Sequence, residues 1–171
     1  MNLPGVHLNG KKVLLLELGV EPYDRAWELQ HRLVVARRSG RLGDVLILLE
    51  HEPVLTLGRR ANESHILASP EVLKKLGVAV RRVERGGDVT YHGPGQLVGY
   101  PILRLADYGL GASDYMHALE EVLLRALADL GVAATRKPDL IGVWAGGGKV
   151  AALGARIEEG ITYHGFALNL S

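Results

Sequence analysis

A glycine-rich run is the first stretch of this sequence with residues suited to chemistry. Residues 85–101 contain five glycines and two prolines beside Arg85, Thr90, Tyr91 and His92. Glycine allows backbone conformations and close approaches that a Cβ atom forbids, at an entropic cost. A tight hairpin turn needs only one or two such residues. The composition therefore favours a binding or catalytic loop over a polar turn between two strands.

Lys149 is the second candidate for chemistry. It follows Gly146-Gly147-Gly148 and precedes the apolar run Val150-Ala151-Ala152-Leu153. An apolar environment shifts a lysine toward its neutral amine. A lysine that stays charged can instead stabilise a neighbouring thiolate or oxyanion. A solvated lysine in a hairpin would give the same pattern, so position alone leaves these interpretations open.

His92 and His164 each lie in a Tyr-His-Gly tripeptide, which is compatible with two paired elements of one site. A hydrogen-bonded structural histidine is the commoner case and is favoured for each. The seven histidines lack metal-ligand spacing, and the sequence has no cysteine, so no metal site or disulfide is expected. Gly93-Pro94-Gly95 does not open a helix, which disfavours a phosphate cradle.

The elements that must position these residues follow from hydrophobic periodicity. Apolar residues at helical spacing predict a helix over Tyr23–Arg38 and a second long helix capped by Ser113-Asp114. The continuous apolar run Asp44–Glu50 is typical of a central strand covered on both faces. Lys12–Leu18 reads as a strand closed by Gly19.

Short strand-like runs separated by glycine turns fill the last third of the chain, beginning at Gly131–Thr135. Two long helices with many short strands, partly in hairpins, predict an α+β fold with a mixed or antiparallel sheet. At 171 residues, we expect one domain over 1–171.

Composition limits the possible partners. A net charge of +1 with 47 % apolar residues gives no electrostatic case for nucleic acid or an anionic membrane. No apolar stretch is long enough to span a bilayer, and Met1–Lys12 lacks a secretory signal, so a cytoplasmic protein is expected. Arg59-Arg60, and Arg81-Arg82 with Arg85, indicate either a solvated face or a docking patch for an acidic partner.

Three runs of the chain resemble one family, in order and over nearly its whole length. Residues 85–101 closely resemble the signature of the lipoyl(octanoyl) transferases, the octanoyl-[acyl carrier protein]:protein N-octanoyltransferases of lipoate synthesis: Arg-Gly-Gly-Asp-Val-Thr-Tyr-His-Gly-Pro-Gly-Gln-Leu-Val-Gly-Tyr-Pro. Residues 51–60 are similar to the family's upstream element, His-Glu-Pro-Val-Leu-Thr-Leu-Gly-Arg-Arg. Residues 148–157 and 163–169 are similar to its lysine strand and its His-Gly-x-Ala-x-Asn strand.

This resemblance implies a fold related to lipoate and biotin protein ligases, with a mixed, largely antiparallel sheet and flanking helices. It implies an acyl site formed by residues from the glycine-rich run and from two later strands. These are Arg85, Gly86, Gly87, Asp88, Val89, Thr90, Tyr91, His92, Ala152, Leu153, Gly154, Gly165, Phe166 and Ala167.

The resemblance also implies a ping-pong reaction that needs no cofactor. A cysteine takes octanoyl from octanoyl-acyl carrier protein and passes it to a lysine of lipoyl domains, those of 2-oxoacid dehydrogenase complexes and of the glycine cleavage H protein. Lys149 matches the family lysine that lowers the pKa of that cysteine. The family cysteine lies downstream of the last matching strand, and the chain has none, so we expect a C-terminal segment beyond Ser171 to supply it.

Two other functions stay open. An ATP-dependent lipoate-protein ligase shares the fold and a pocket lysine and needs no cysteine, but typically carries Arg-Arg-x-x-Gly-Gly-Gly-x-Val-x-His-Asp, unlike residues 85–96. A non-catalytic module that binds acyl groups or lipoyl domains, having lost its nucleophile, is the third hypothesis.

Overall fold

The computed structural model describes residues 5–8 and 10–171, which form three α-helices and eleven β-strands. The helices are α1 (Tyr23–Arg38), α2 (Pro70–Lys75) and α3 (Ala112–Asp129). The strands are β1 (Gly5–Leu8), β2 (Lys11–Glu21), β3 (Asp44–His51), β4 (Val54–Leu57), β5 (Ala79–Arg82), β6 (Val89–His92), β7 (Gln96–Ile102), β8 (Thr135–Lys137), β9 (Leu140–Ala145), β10 (Gly148–Glu158) and β11 (Ile161–Asn169).

The strands form two sheets. The larger sheet has eight strands in the order β1-β2-β3-β7-β11-β10-β9-β8, and the smaller has three in the order β5-β4-β6. Only two neighbouring pairs among the described strands are parallel, β2 with β3 and β4 with β5. The predicted α+β fold with a mixed, largely antiparallel sheet is therefore confirmed.

Helices α1 and α3 cover opposite faces of the large sheet. The core beneath α1 contains Ala26 and Val34 of the helix together with Ala167 of β11. The core beneath α3 contains Leu127 of the helix together with Leu168, the next residue of β11. Because consecutive residues of a strand face opposite sides, the two helices sandwich the sheet. The small sheet packs on the start of α1, where Tyr23 and Val54 share a buried cluster.

The helix predicted over Tyr23–Arg38 is confirmed, and the strand predicted from Asp44 extends one residue further, to His51. Helix α3 begins at Ala112, not at a Ser113-Asp114 cap: Gly111 precedes it, and the backbone N–H of Gly111 donates to the carboxylate of Asp114 at 3.2 Å. Asp114 thus makes the contact that the third helical residue makes in a capping box, while Gly111 has no side-chain oxygen to accept from the first turn.

Two strand boundaries also differ from the predictions. Strand β2 continues through Gly19, which adopts a positive φ of 67° within a β-bulge between Glu17 and Val20. The segment Gly131–Ala134 forms no strand, because the N–H of Val132 bonds back to the carbonyl of Leu127 and closes the end of α3.

No helix among the described residues is long and apolar enough to cross a membrane. The absence of a secretory signal was predicted for Met1–Lys12. Residues 1–4 and 9 of that segment lie outside the described residues.

Candidate active site

A small cavity of ≈ 30 Å³ lies where the start of α1, the small sheet and the centre of the large sheet meet. Its walls come from α1, the glycine-rich run, β6, β7, β10 and β11. The lining residues are Tyr23, Arg85, Thr90, His92, Tyr100, Ala152, Leu153, Gly154, His164, Gly165, Phe166 and Ala167. Segments far apart in the sequence thus converge on one space.

The predicted site residues fall into two groups. Arg85, Thr90 and His92 line the cavity, together with Ala152–Gly154 of β10 and Gly165–Ala167 of β11. The remaining residues of the glycine-rich run lie beside the cavity without lining it: Gly86, Gly87, Asp88, Val89 and Tyr91. Asp88 instead faces outward, where its carboxylate contacts the imidazole of His65 at 2.5 Å. Tyr91 is half exposed.

Two glycines that face each other across β10 and β11 keep the wall thin. Gly154 pairs directly with Gly165 in the strand register. A Cβ atom on Gly154 would lie 2.8 Å from the carbonyl oxygen of Gly86, and one on Gly165 would lie 2.4 Å from the carbonyl oxygen of Gly99. Any larger residue at either position would therefore push a neighbouring backbone segment away.

Arg85 is a buried cation held only by neutral acceptors. Its Nε and Nη2 donate to the hydroxyl of Thr56 at 3.2 and 2.8 Å, and Nη2 also reaches the carbonyl oxygens of Thr56 and Asp88 at 2.7 and 2.9 Å. Among the described residues, no carboxylate forms an ion pair with it. Burial lowers its pKa, yet an arginine stays charged. Within the part of the chain that the structure describes, the cavity wall therefore carries a positive charge that forms no ion pair.

His92 is a neutral imidazole with an assigned tautomer. Gln96 uses its amide nitrogen to donate to Asn169 at 2.9 Å, which leaves its oxygen to accept from Nδ1 of His92 at 2.6 Å. The proton on Nδ1 leaves Nε2 as the acceptor, 3.4 Å from the hydroxyl of Thr56. Burial, with the charge of nearby Arg85, lowers the pKa of His92 to about 3.

Three lining residues were missing from the predicted site: Tyr23, Tyr100 and His164. Behind Tyr100 lies the fully buried His51, whose Nδ1 reaches the carbonyl oxygen of Glu21 at 3.0 Å and must carry the proton. The Tyr100 hydroxyl then donates to Nε2 of His51 at 2.6 Å. Burial raises the pKa of Tyr100, which keeps this donor protonated. The Tyr-His-Gly tripeptide was the available signal for His164.

His164 occupies an unusual backbone position. Its φ of 53° lies in the left-handed region, and its N–H donates to the buried side chain of Gln30 at 2.8 Å. Its ring stacks on that of Tyr163 with centroids 4.9 Å apart, although consecutive strand residues normally face opposite sides. The local twist turns His164 toward the cavity face. Its Nε2 is buried without a hydrogen-bond partner, 3.9 Å from the carboxylate of Glu84.

Lys149 is exposed near the start of β10 and does not line the cavity. Its ammonium donates to the carbonyl oxygen of Ile141 at 3.1 Å and lies 4.8 Å from the ring centroid of Trp144. Gly142 makes room for it, since a Cβ there would lie 3.0 Å from Cε of Lys149. The N–H of Gly142 is fixed in turn by the buried carboxylate of Glu120 at 2.8 Å.

The chemistry available at this cavity is acid–base and electrostatic. Among residues 5–8 and 10–171, no group of three or more His, Asp or Glu side chains is placed to hold a metal ion. The cavity combines the cation of Arg85, the neutral imidazoles of His92 and His164, and an apolar side formed by Leu153 and Phe166. Such a site suits a ligand with an apolar chain and a carbonyl that becomes negatively charged.

Comparison with solved structures shows the fold class. A putative lipoate protein ligase from T. acidophilum with bound lipoic acid aligns with a TM-score of 0.70 at 18 % identity, over 90 % of this chain and 66 % of the other. A lipoate-protein ligase A bound with ATP aligns with a TM-score of 0.71 at 18 % identity, over 90 % and 65 %. The fold is that of the lipoate-protein ligases.

Sequence comparison is more specific. Residues 22–171 match the lipoyl protein ligase A/B catalytic domain family. An octanoyltransferase from Acidobacterium capsulatum is 52 % identical over 170 residues, covering 92 % of this chain and 69 % of its own length. One from Gloeobacter violaceus is 50 % identical over 160 residues, covering 93 % and 70 %. The chain belongs to the lipoyl protein ligase A/B catalytic domain family and, within it, to the octanoyltransferases, which are enzymes.

Proposed function

We propose that the protein moves octanoyl from octanoyl-acyl carrier protein to a lysine of lipoyl domains through an acyl-cysteine. The acceptors are the lipoyl domains of 2-oxoacid dehydrogenase complexes and the glycine cleavage H protein. The cysteine lies outside the 171 residues, and the reaction proceeds without a cofactor, in the cytoplasm. The observation that carries the proposal is the convergence of the glycine-rich run and the two later motif strands on one cavity, in a chain about half identical to octanoyltransferases.

The shape and lining of the cavity support an acyl ligand. Burying each CH₂ of an acyl chain is worth about 0.8 kcal/mol, so an apolar slot favours a medium chain over acetyl. At ≈ 30 Å³, the space holds about two water molecules. An octanoyl chain is larger than this space, so it either extends through the open side of the cavity or displaces the partly exposed Leu153 and Phe166.

Lys149 is the proposed cation beside the attacking thiolate. A neighbouring ammonium raises the thiolate fraction at neutral pH, and the thiolate is the nucleophile. Lys137 provides a matched control, because its ammonium lies over the same Trp144 ring at 5.4 Å. In the full-length protein, we expect Lys149→Ala to slow formation of the octanoyl-enzyme at least tenfold at neutral pH and Lys137→Ala to leave it unchanged. Equal rates for the two variants would contradict the role of Lys149.

The exposed arginines differ in their suitability for docking an acidic carrier protein. Arg81 is bound by Asp24 and Arg82 by Glu63, each at 2.6 Å. Arg59 and Arg60 are exposed, and within the described residues neither forms an ion pair. We therefore expect Arg59→Glu to weaken carrier-protein binding and its salt dependence more than Arg82→Glu does. Unchanged binding and salt dependence in the Arg59 variant would remove this docking role.

One experiment tests the whole proposal. The full-length protein is incubated with octanoyl-acyl carrier protein and a lipoyl domain, without ATP, and both protein products are analysed by mass spectrometry. We expect octanoyl as a thioester on one enzyme cysteine, and then on the lysine of the lipoyl domain. A parallel incubation contains ATP and free octanoic acid in place of octanoyl-acyl carrier protein. Modification of the lipoyl domain only in that incubation would favour a ligase, and no modification in either incubation would favour a binding module.

A further inference from the structure

One imidazole that lines the cavity, His164, lies beside the carboxylate of Glu84. Glu84 immediately precedes the glycine-rich run, and its Oε2 lies 3.9 Å from Nε2 of His164. That nitrogen is buried and has no hydrogen-bond partner within the described residues. An unpaired polar atom in a buried position is costly, so a small movement that brings Nε2 and Glu84 to hydrogen-bond distance is favourable.

The carboxylate is held in place by a ring of donors. Oε1 of Glu84 lies 3.0 Å from Nε2 of His31, 3.1 Å from the hydroxyl of Tyr163 and 3.4 Å from the indole nitrogen of Trp27. These contacts leave Oε2 as the oxygen nearest to His164. The side chain of His31 is 45 % exposed, so the cluster connects the cavity to solvent.

The charge states suit acid–base chemistry. Burial lowers the pKa of His164, against the raising effect of Glu84, so the imidazole is neutral at pH 7. Partial burial raises the pKa of the Glu84 carboxyl, but its interactions with His164, His31 and the backbone outweigh this and bring it to about 2. An ionised carboxylate therefore stands beside a neutral base. The other groups that face His164 are His31, Arg85, His92, Tyr100 and Tyr163.

We propose that His164 is a catalytic base for transfer to the acceptor lysine, and that Glu84 is the positioning residue that orients its ring and stabilises the imidazolium. This inference rests on the proposed octanoyl transfer. The amine nitrogen attacks the thioester carbon, the C–N bond forms and the C–S bond breaks. Nδ1 of His164, the ring nitrogen that Glu84 does not face, takes the proton that the amine loses and returns it to the departing thiolate. A shift of about 1 Å brings Glu84 and His164 to hydrogen-bond distance, as catalytic contacts often tighten when substrate binds.

The backbone of His164 suggests the appropriate variant. The φ of His164 is 53°, a region that few residues other than glycine adopt and in which asparagine, aspartate and histidine are enriched. His164→Asn therefore removes the base with little backbone cost, and Glu84→Gln removes the charge of the carboxylate at constant size. Glu159→Gln is the matched control, since Glu159 is an exposed glutamate that pairs with Arg38 away from the cavity. Thermal melting checks that all three variants fold.

The test isolates the second half of the reaction. Octanoyl-enzyme is prepared from the full-length protein and octanoyl-acyl carrier protein, a lipoyl domain is added, and loss of the thioester is followed by mass spectrometry across pH. We expect His164→Asn to slow this step about 100-fold. In Glu84→Gln we expect the rate of thioester loss to reach a plateau at high pH that is about tenfold lower or more. We expect the rate to rise toward that plateau at lower pH than in the wild-type enzyme, because the carboxylate raises the pKa of His164.

Nuclear magnetic resonance titration of the His164 imidazole gives a second readout that needs no activity. We expect its pKa to fall in Glu84→Gln and to stay unchanged in Glu159→Gln. Suppose that wild-type octanoyl-enzyme forms and passes octanoyl to the lipoyl domain, while Glu84→Gln matches Glu159→Gln in transfer rate and in pH dependence. The role of Glu84 and His164 is then overturned, and the proposed octanoyl transfer stands. If wild-type enzyme forms no octanoyl-enzyme, both the proposed function and the role of the pair are overturned.

Discussion

Thr56→Val tests whether one buried hydroxyl holds the cavity cation. Thr56 is fully buried in β4, and its hydroxyl is the acceptor for Nε of Arg85 and one of three acceptors for Nη2. Valine keeps the size and removes the oxygen, which leaves the Nε–H of a buried cation without a partner. An unsatisfied buried polar group costs about 1–3 kcal/mol, so we expect the free energy of unfolding to fall by about 2 kcal/mol.

Thr56→Ser separates this effect from packing. Serine keeps the hydroxyl and removes a buried methyl group, which costs about 1 kcal/mol. The measurement is urea unfolding of both variants, each made also in an Arg85→Met background. If the hydroxyl acts through Arg85, the cost of Thr56→Val should shrink by about 1 kcal/mol or more in that background. A coupling below about 0.5 kcal/mol, or a Ser variant less stable than the Val variant, would refute the reasoning.

Three further perturbations follow from contacts of the fold. Gly99→Ala puts a Cβ 2.2 Å from the ring of Phe166, so we expect a loss of about 1–3 kcal/mol by urea unfolding, whereas Gly43→Ala, with open space around it, should cost far less. Glu120→Ala leaves a buried N–H of β9 unpaired, so it should lower the melting temperature more than Glu120→Gln, which keeps an acceptor; equal shifts would contradict this. The pKa of His92 is lowered to about 3, so the unfolded chain binds the proton first, and stability should fall as pH drops from about 6.5 toward 3; His92→Gln should flatten this slope, measured by unfolding at several pH values.

Local pattern was sufficient for the elements that frame the site. The apolar spacing of Tyr23–Arg38 specifies α1, and the apolar run from Asp44 specifies β3, because each pattern matches one face or both faces of a buried element. Predictions failed where a single contact decides a boundary. Gly19 was read as the end of a strand, but a bulge lets β2 absorb it. Glycine in a strand pattern is compatible with both outcomes.

The candidate site was predictable only as far as its motifs extend. The motifs of the glycine-rich run and of the two later strands predicted nine of the twelve residues that line the cavity. Nothing in the sequence indicated that Tyr23 is a site residue, because Tyr23 is the first residue of α1 and reaches the cavity only through the packing of α1 on the sheet. The pairing of Gly154 with Gly165 also depends on strand register, which periodicity does not fix.

The order of Glu84 and Arg85 explains how the cavity keeps its positive charge. Adjacent residues of opposite charge could neutralise each other, but these two lie in the bend formed by residues 84–88, and their side chains have different partners. Glu84 turns to Trp27 and the histidines, and Arg85 turns to Thr56 inside the cavity wall. The thioester of the proposed reaction is neutral when it binds and anionic at the tetrahedral stage. A cation without a paired anion stabilises that stage more than the bound ground state, and only this difference accelerates the chemical step.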